Sequence, residues 1–342
     1  MSKINNIIVN AVSTHSGGGL VLLRALVSTL QESGLEYIVI VDSRARKYFD
    51  SKENLIILFV KPSLVERFKS ELNLRKLSKV SDKILSFGNL PPLFKLSSES
   101  ILFVQSAYII KPQVLSGFSL KQKLRMSIER LWFIIFNTNV DSFIVQTKSM
   151  QKLMLNVTDK KVEVFPFALF QNNQCHNINN IDFIYPSSGE PHKNHKNLIR
   201  AWILLSAKGI NLSLYLTLDN NVFLNLVSWI ESKVEKHSLN IINLGYVTQH
   251  NEMLNYVRSS KALIFPSKLE SFGMPLIEAK YLKVPILASE LDYVRDVAEP
   301  VQTFDPSSPE SICNAVERYL GVVELNPILT PKQFLNNIIS RD

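Results

Sequence analysis

Short apolar runs alternate with longer amphipathic stretches along the whole chain. In the first half, residues 7–12, 37–41, 55–60, 83–87, 101–104, 143–145 and 162–164 are brief, mostly aliphatic runs that predict buried strands. Between them, residues 20–30 place Leu20, Leu23, Leu26, Val27 and Leu30 at helical spacing, and 63–77 and 119–136 predict charged helices. The second half repeats the pattern. It has predicted strands at 183–185, 212–218, 241–244, 262–265 and 285–288, and predicted helices at 197–207, 223–234, 251–257, 275–282 and 310–319. Strands separated by helices predict parallel sheets with right-handed crossovers, hence an α/β fold. The periodicity fails over 170–182, which is rich in Asn and Gln. We therefore expect a first domain over 1–168, a linker over 169–182 and a second domain over 183–325. A terminal segment over 326–342 follows, where 327–331 interrupts the chain before a last helix predicted at 332–340.

A length of 342 residues suits two domains of ordinary size. Charge adds one feature to this picture. Residues 1–165 carry 23 Lys and Arg against 13 Asp and Glu, whereas 166–342 carry 15 against 17. A basic half beside a near-neutral half points to an anionic surface, either nucleic acid or the anionic face of a membrane; plain solubility is the ordinary alternative. A nucleic-acid role needs basic side chains interleaved with aromatics on one surface, and none is expected. The helix at 119–136 carries Lys121, Lys123, Arg125 and Arg130 beside Leu131, Trp132 and Phe133. It either lies on a membrane or buries its apolar side in the core, and peripheral membrane contact is a candidate. The longest apolar run, 131–136, falls far short of the ~20 residues that span a bilayer. Two cysteines, Cys175 and Cys313, make neither a disulfide framework nor a metal site. The first residues run straight into a strand with no signal-peptide pattern, so a cytoplasmic location is expected.

Four stretches carry candidate chemistry. The first is Phe265-Pro266-Ser267-Lys268-Leu269-Glu270-Ser271-Phe272-Gly273-Met274-Pro275-Leu276-Ile277-Glu278-Ala279, a strand end, a polar loop and a helix. Pro275 suits the first helical position, because its missing N–H would be unpaired there. Neither Gly273 nor Met274 can cap the helix with a side chain, so its first amides are free for an anion. Glu270 and Glu278 can each accept hydrogen bonds from neighbouring hydroxyls of a sugar or ribose; solvated carboxylates are the alternative. The second stretch is Thr14-His15-Ser16-Gly17-Gly18-Gly19, between the first strand and the first helix, where glycines allow inward-facing amides suited to phosphate. It is neither a dinucleotide fingerprint nor a P-loop, and a tight turn is the alternative. The third is Tyr185-Pro186-Ser187-Ser188-Gly189-Glu190-Pro191-His192-Lys193-Asn194-His195, where Lys193 can neutralise a diphosphate. Its histidines invite a zinc reading, but no Cys or carboxylate accompanies them at ligand spacing. The fourth is Val104-Gln105-Ser106-Ala107-Tyr108 at a strand's C-terminal end, where open α/β sheets bind ligands.

The first stretch, continued by Lys283-Val284-Pro285-Ile286-Leu287-Ala288-Ser289, resembles the E-x7-E segment of retaining GT-B glycosyltransferases of family four, the glycosyl transferases group 1. The resemblance is to its O-antigen and capsule polysaccharide members. The third stretch is similar to the P-H-K-N-H variant of the same group. Two departures stand out: Lys283 where the family usually has Gly, and Ser188 where many relatives have Arg. The resemblance implies two Rossmann-like domains with parallel sheets facing across a cleft. It implies retaining, metal-independent transfer of a hexosyl group from a nucleotide diphosphate sugar to an oligosaccharide or lipid-linked acceptor. No cofactor besides that donor is implied. Glu270 and Lys193 would be catalytic. Gly18, Gly19, Lys193, Phe272, Gly273, Met274 and Glu278 would bind the donor, with His192 or Lys196 as candidates for the phosphate charge that the absent Arg leaves unmet. Gln105 and Ser106 would replace a family His that contacts the sugar. The rival readings are a sugar-nucleotide epimerase on the same architecture and a non-catalytic two-domain sugar-binding protein.

Overall fold

A computed structural model describes residues 7–32, 37–50, 55–79, 83–110, 118–168, 181–322 and 330–331. The first domain is built from β1 (Ile7–Ala11), α1 (Gly17–Glu32), β2 (Tyr37–Asp42), β3 (Leu55–Val60), α2 (Leu64–Leu77), β4 (Lys83–Phe87), β5 (Glu99–Phe103), α3 (Ala107–Ile110), α4 (Leu120–Phe136), β6 (Ser142–Val145), α5 (Lys148–Leu155) and β7 (Val162–Val164). Its sheet is wholly parallel in the order β3-β2-β1-β4-β5-β6-β7. Strand alternation splits its core in two. Val9, Val39 and Val41 face α1 residues Leu20, Leu23 and Val27, while Ile8, Ile40 and Ile84 face Leu74 of α2. Crossovers β3→β4, β5→β6 and β6→β7 run along the sheet in the direction opposite to β1→β2. Right-handedness therefore puts α2, α4 and α5 together on the face opposite α1.

The second domain contains β8 (Ile181–Tyr185), α6 (His195–Ala207), β9 (Leu214–Leu216), α7 (Leu224–His237), β10 (Ile241–Asn243), α8 (His250–Arg258), β11 (Ser260–Phe265), α9 (Met274–Tyr281), β12 (Ile286–Ser289), α10 (Asp292–Arg295), β13 (Gln302–Phe304) and α11 (Pro309–Tyr319). Its parallel sheet runs β10-β9-β8-β11-β12-β13 around one large apolar cluster. In both sheets the strand order reverses once, between β1 and β4 and between β8 and β11. At such a point neighbouring loops part and leave a crevice beyond the strand ends. The two crevices face each other. Ala107 N–H donates to Ser271 Oγ at 2.9 Å, and Thr147 Oγ1 donates to the Ser271 carbonyl at 3.2 Å. Ser149 N–H donates to the Asp296 carboxylate at 2.8 Å, so two loops of the second domain are tied to the first.

Several boundaries differ from the sequence expectation. Residues 169–180 of the expected linker lie outside the described residues, and Ile181 and Asp182 belong to β8, where Asp182 accepts from Ser213 N–H. The expected terminal segment over 326–342 also lies outside them, apart from residues 330–331. The glycines of 17–19 are the first turn of α1 and not a loop before it. Helix α9 begins one residue early, so Pro275 is its second position and Met274 its first. Helices α3, α5 and α10 and strand β13, at 4, 8, 4 and 3 residues, are not among the elements that the pattern predicts.

Lys283 shows why its position favours glycine. It follows α9 with φ 58°, in the left-handed region. Its N–H donates to the Lys280 carbonyl at 3.1 Å, and Val284 N–H reaches back to the Ala279 carbonyl at 2.9 Å. These are the two bonds of a Schellman cap, whose central residue must turn left-handed. A side chain there costs about 1–2 kcal/mol, partly offset by the greater entropy that glycine loses. Lys283→Gly is therefore expected to raise folding stability by roughly 0.5–1 kcal/mol, read as a higher urea midpoint at unchanged slope.

Candidate active site

The site gathers at the two switch points. On the first domain, helix α1 opens with Gly17 at φ 65°, and no acidic side chain occupies its first turn. A Cβ on Gly19 would lie 2.6 Å from Gln105 Oε1, and one on Gly18 would lie 3.9 Å from Met274 Cγ. Only glycine lets this turn press against Gln105. Through Met274, the same turn faces the start of α9 across the cleft. Thr14 Oγ1 donates to the Phe87 carbonyl at 2.9 Å and pins the approach to the turn. Gln105 is held by its N–H, which donates to Asn89 Oδ1 at 2.8 Å, while its buried side-chain nitrogen has no partner. Ser106 follows it, half-buried, after the end of β5.

On the second domain, Lys193 ends a one-turn helix at Pro191–Lys193 after β8. Asn194 turns left-handed at φ 64°, and its side-chain amide donates to the carbonyls of Pro266 (3.0 Å) and Pro306 (2.7 Å). Tyr185 Oη donates to the Lys193 carbonyl at 2.8 Å, and Lys268 N–H donates to the His192 carbonyl at 2.8 Å. The lysine turn and the loop after β11 are thus stitched together. Lys193 Nζ meets Glu270 Oε1 at 2.7 Å, with side chains only 18% and 11% exposed. Beyond Glu270, Phe272 is buried and Gly273 is the N-cap of α9 at φ 72°, with no side-chain cap. A Cβ on Gly273 would meet Leu276 Cδ1 at 3.0 Å.

Glu278 sits one turn into α9 and is buried, which pushes its carboxyl up to about 7. About half of it is therefore protonated at neutrality, in contrast to the ionised acceptor expected from sequence. His250 Nε2 lies 3.6 Å from Glu278 Oε1, and burial lowers the His250 imidazole. Burial thus disfavours the charged form of both partners.

His192 does not supply the missing cation. Burial, with Lys193 beside it, lowers it to about 3, and its ring packs between Tyr108 at 5.1 Å and Phe118 at 6.2 Å. Lys196 lies over the Trp229 ring at 5.8 Å. His195 is buried against Tyr185 and is likewise lowered to about 3, first by burial. Among the described residues no three His, Cys, Asp or Glu side chains are placed to hold a metal ion.

Three residues escaped the sequence reading. Tyr108 has a buried hydroxyl without a partner; burial, then the Glu270 charge, raises it far above its ordinary value. Ser271 lies inside the E-S-F-G string but links the domains instead of facing a ligand, and only the fold reveals that. His250 is 28 positions before Glu278, and no local signal joins them.

The raised Glu278 carboxyl carries a pH signature. Between about 4.5 and 7 the folded state keeps a proton that the unfolded chain has lost, so this residue's contribution falls as pH rises through that window. Above the window the buried charge costs about 3 kcal/mol. Glu278→Gln should exceed wild-type stability by that order above neutrality, and the gap should vanish at low pH in urea unfolding series.

Residues 170–325 match the family Glycosyl transferases group 1. Two forms of the serotype-specific mannosyltransferase WbdA of Escherichia coli are 29% and 30% identical over 162 residues, 42% of this chain and 18% of theirs. The chain thus matches under a fifth of the length of these curated relatives. Among solved structures, Anabaena HepE in complex with UDP and glucose shares a TM-score of 0.64 at 12% identity, covering 92% of this chain and 89% of that one. WaaG, a glycosyltransferase involved in lipopolysaccharide biosynthesis, shares 0.65 at 14% identity, covering 92% and 90%. The lipopolysaccharide outer core galactosyltransferase WaaB shares 0.61 at 13% identity, covering 98% and 99%. Residues 170–325, which hold Lys193, Glu270 and Glu278, thus match the glycosyl transferases group 1, and the two facing parallel-sheet domains share the GT-B fold of these solved glycosyltransferases.

Proposed function

We propose that the cleft binds a nucleotide diphosphate sugar and transfers its hexosyl group, with retention, to a hydroxyl of an oligosaccharide or lipid-linked acceptor. Bacterial surface polysaccharide synthesis is the setting this reading favours, because WaaG is involved in lipopolysaccharide biosynthesis and WaaB is a lipopolysaccharide outer core galactosyltransferase. The observation that carries it is convergence. Lys193 and Glu270 meet at 2.7 Å beside a helix start that faces the glycine turn of the opposite domain.

In this reading Lys193, the Gly18 and Gly19 amides and the start of α9 hold the diphosphate. Glu278 accepts the ribose hydroxyls, which stabilise its ionised form. Glu270 and the Phe272-Gly273-Met274 backbone hold the hexose. The bond from the anomeric carbon to the β-phosphate oxygen breaks, and the acceptor oxygen bonds the same face of that carbon. The acceptor proton passes to the leaving phosphate oxygen, and nucleoside diphosphate departs. Charge grows on that oxygen in the transition state, where each preorganised donor is worth roughly 10²–10³ in rate. Tyr108, with its free hydroxyl near Glu270, is placed to donate to the hexose or the diphosphate.

Thermal-shift titration with UDP-, GDP- and dTDP-sugars finds the donor, since a ligand at ~100 times its Kd stabilises by ~2.7 kcal/mol. Nucleotide release that requires acceptor then establishes transfer. Glu270→Gln should retain most of the donor shift and lose roughly 10²-fold in kcat. Glu278→Ala should chiefly weaken the donor shift. Unchanged kinetics and donor binding in both variants would remove these roles.

A further inference from the structure

Helix α4 has two apolar sides, and the protein uses only one of them. Phe133 is buried against Phe143 of the sheet. On the opposite side Leu120, Leu124, Ile128, Leu131, Ile134 and Ile135 are all more than half exposed. At 3.6 residues per turn these six form one stripe about 120° wide along the whole helix. Lys121 borders it on one edge and Lys123 on the other, with Arg125 and Arg130 just beyond. The helix's one acid, Glu129, lies on the far side, 3.4 Å from Arg125.

Helix α2 repeats the arrangement on the same face of the sheet. Leu64, Val65, Phe68 and Leu72 are exposed at helical spacing, and Lys69 and Lys76 lie at the stripe's edge. Its two acids are occupied: Glu66 pairs with Lys69 at 2.8 Å, and Glu71 accepts from Leu93 N–H at 2.9 Å. One short segment holds both helices. Phe94 packs against Phe68 at 6.1 Å with the Arg75 guanidinium over its ring at 5.5 Å, and Trp132 Nε1 donates to the Pro91 carbonyl at 2.9 Å. The two stripes are therefore fixed relative to each other.

We propose that the α2–α4 face of the first domain docks on an anionic lipid bilayer. Ten exposed large apolar side chains on one domain face exceed what scattered surface hydrophobics explain. The cations at the rims supply the complement to lipid phosphate, and they lie where headgroups meet acyl chains when a helix rests in the interface. A second copy of this chain suits the face less well, since pairing would oppose two sets of rim cations. Among the described residues no helix is long and apolar enough to cross a membrane, so this contact is a surface one. The proposal is independent of the cleft chemistry, because it concerns the opposite face of α4 from the core and none of the site residues.

The test is flotation of the full chain with phosphatidylcholine vesicles and with vesicles mixing phosphatidylcholine and phosphatidylglycerol. Binding to the mixed vesicles, weaker on neutral ones and weakened by salt, is expected. Leu124→Glu with Ile128→Glu should abolish it. Lys121→Ala with Lys123→Ala should weaken it by more than tenfold, given roughly fivefold per cation near the surface. Both variants touch only exposed or half-buried positions, and an unchanged thermal midpoint confirms that each still folds. Absence of vesicle binding by the wild-type chain would overturn the proposal. So would sedimentation showing a dimer that the Leu124→Glu, Ile128→Glu variant splits while vesicles bind neither form.

Discussion

The ion pair between Lys193 and Glu270 organises the cleft. Each side chain arrives on a loop from a different strand, one after β8 and one after β11, and the two loops are tied by backbone and by Asn194. A pair so little exposed gives up most of its hydration, and its Coulomb attraction repays that only in part. A hydrophobic pair would stabilise the fold at least as well. What the pair does accomplish is to hold a cation and a hydrogen-bond acceptor at fixed positions beside the unfilled amides of α9. Those amides lack a side-chain cap because Gly273 must turn left-handed to start the helix.

The first domain answers this with backbone alone. Its glycine turn places no side chain between α1 and Met274, so the opposing lobe approaches to van der Waals range of where a Cβ would stand. In the proposed function, Lys193 on one lobe and the amides of the glycine turn on the other are complementary halves of a diphosphate site. Ser271 sets the separation of those halves through its bonds to Ala107 and Thr147, and the cleft width depends on a residue with no catalytic duty.

The fold was legible because both sheets are parallel and buried on two faces, which leaves near-continuous apolar runs. Helix starts were legible where a cap is written locally, as with Ser63, Ser119 and Ser308, and the strands at 55–60, 83–87 and 162–164 from the bounds of their apolar runs. The Lys193, Glu270 and Glu278 positions were legible from their motifs, and Gly18 and Gly19 from their place after β1. The raised carboxyl of Glu278 was not, because it comes from burial that only the folded second domain supplies. The role of Ser271 was not, because it exists only once two domains meet. The solvent face of α4 was half legible: the pattern gave the cations and the aromatic residues but not which apolar side the sheet would take.

The geometry of the cleft also bears on selectivity in the proposed reaction. Moving Lys193 toward a diphosphate strips Glu270 of its counter-charge in a poorly hydrated place. A ligand with phosphate alone leaves that carboxylate buried and unpaired, an expensive outcome. A ligand with a hexose on the diphosphate offers hydroxyls to the same carboxylate as it takes the lysine. Likewise Glu278 ionises at little cost only when hydroxyls donate to it, since burial otherwise holds its proton. Two acids, each costly to leave without a donor, therefore favour a complete nucleotide sugar over its fragments, and they do so through desolvation more than through any single contact.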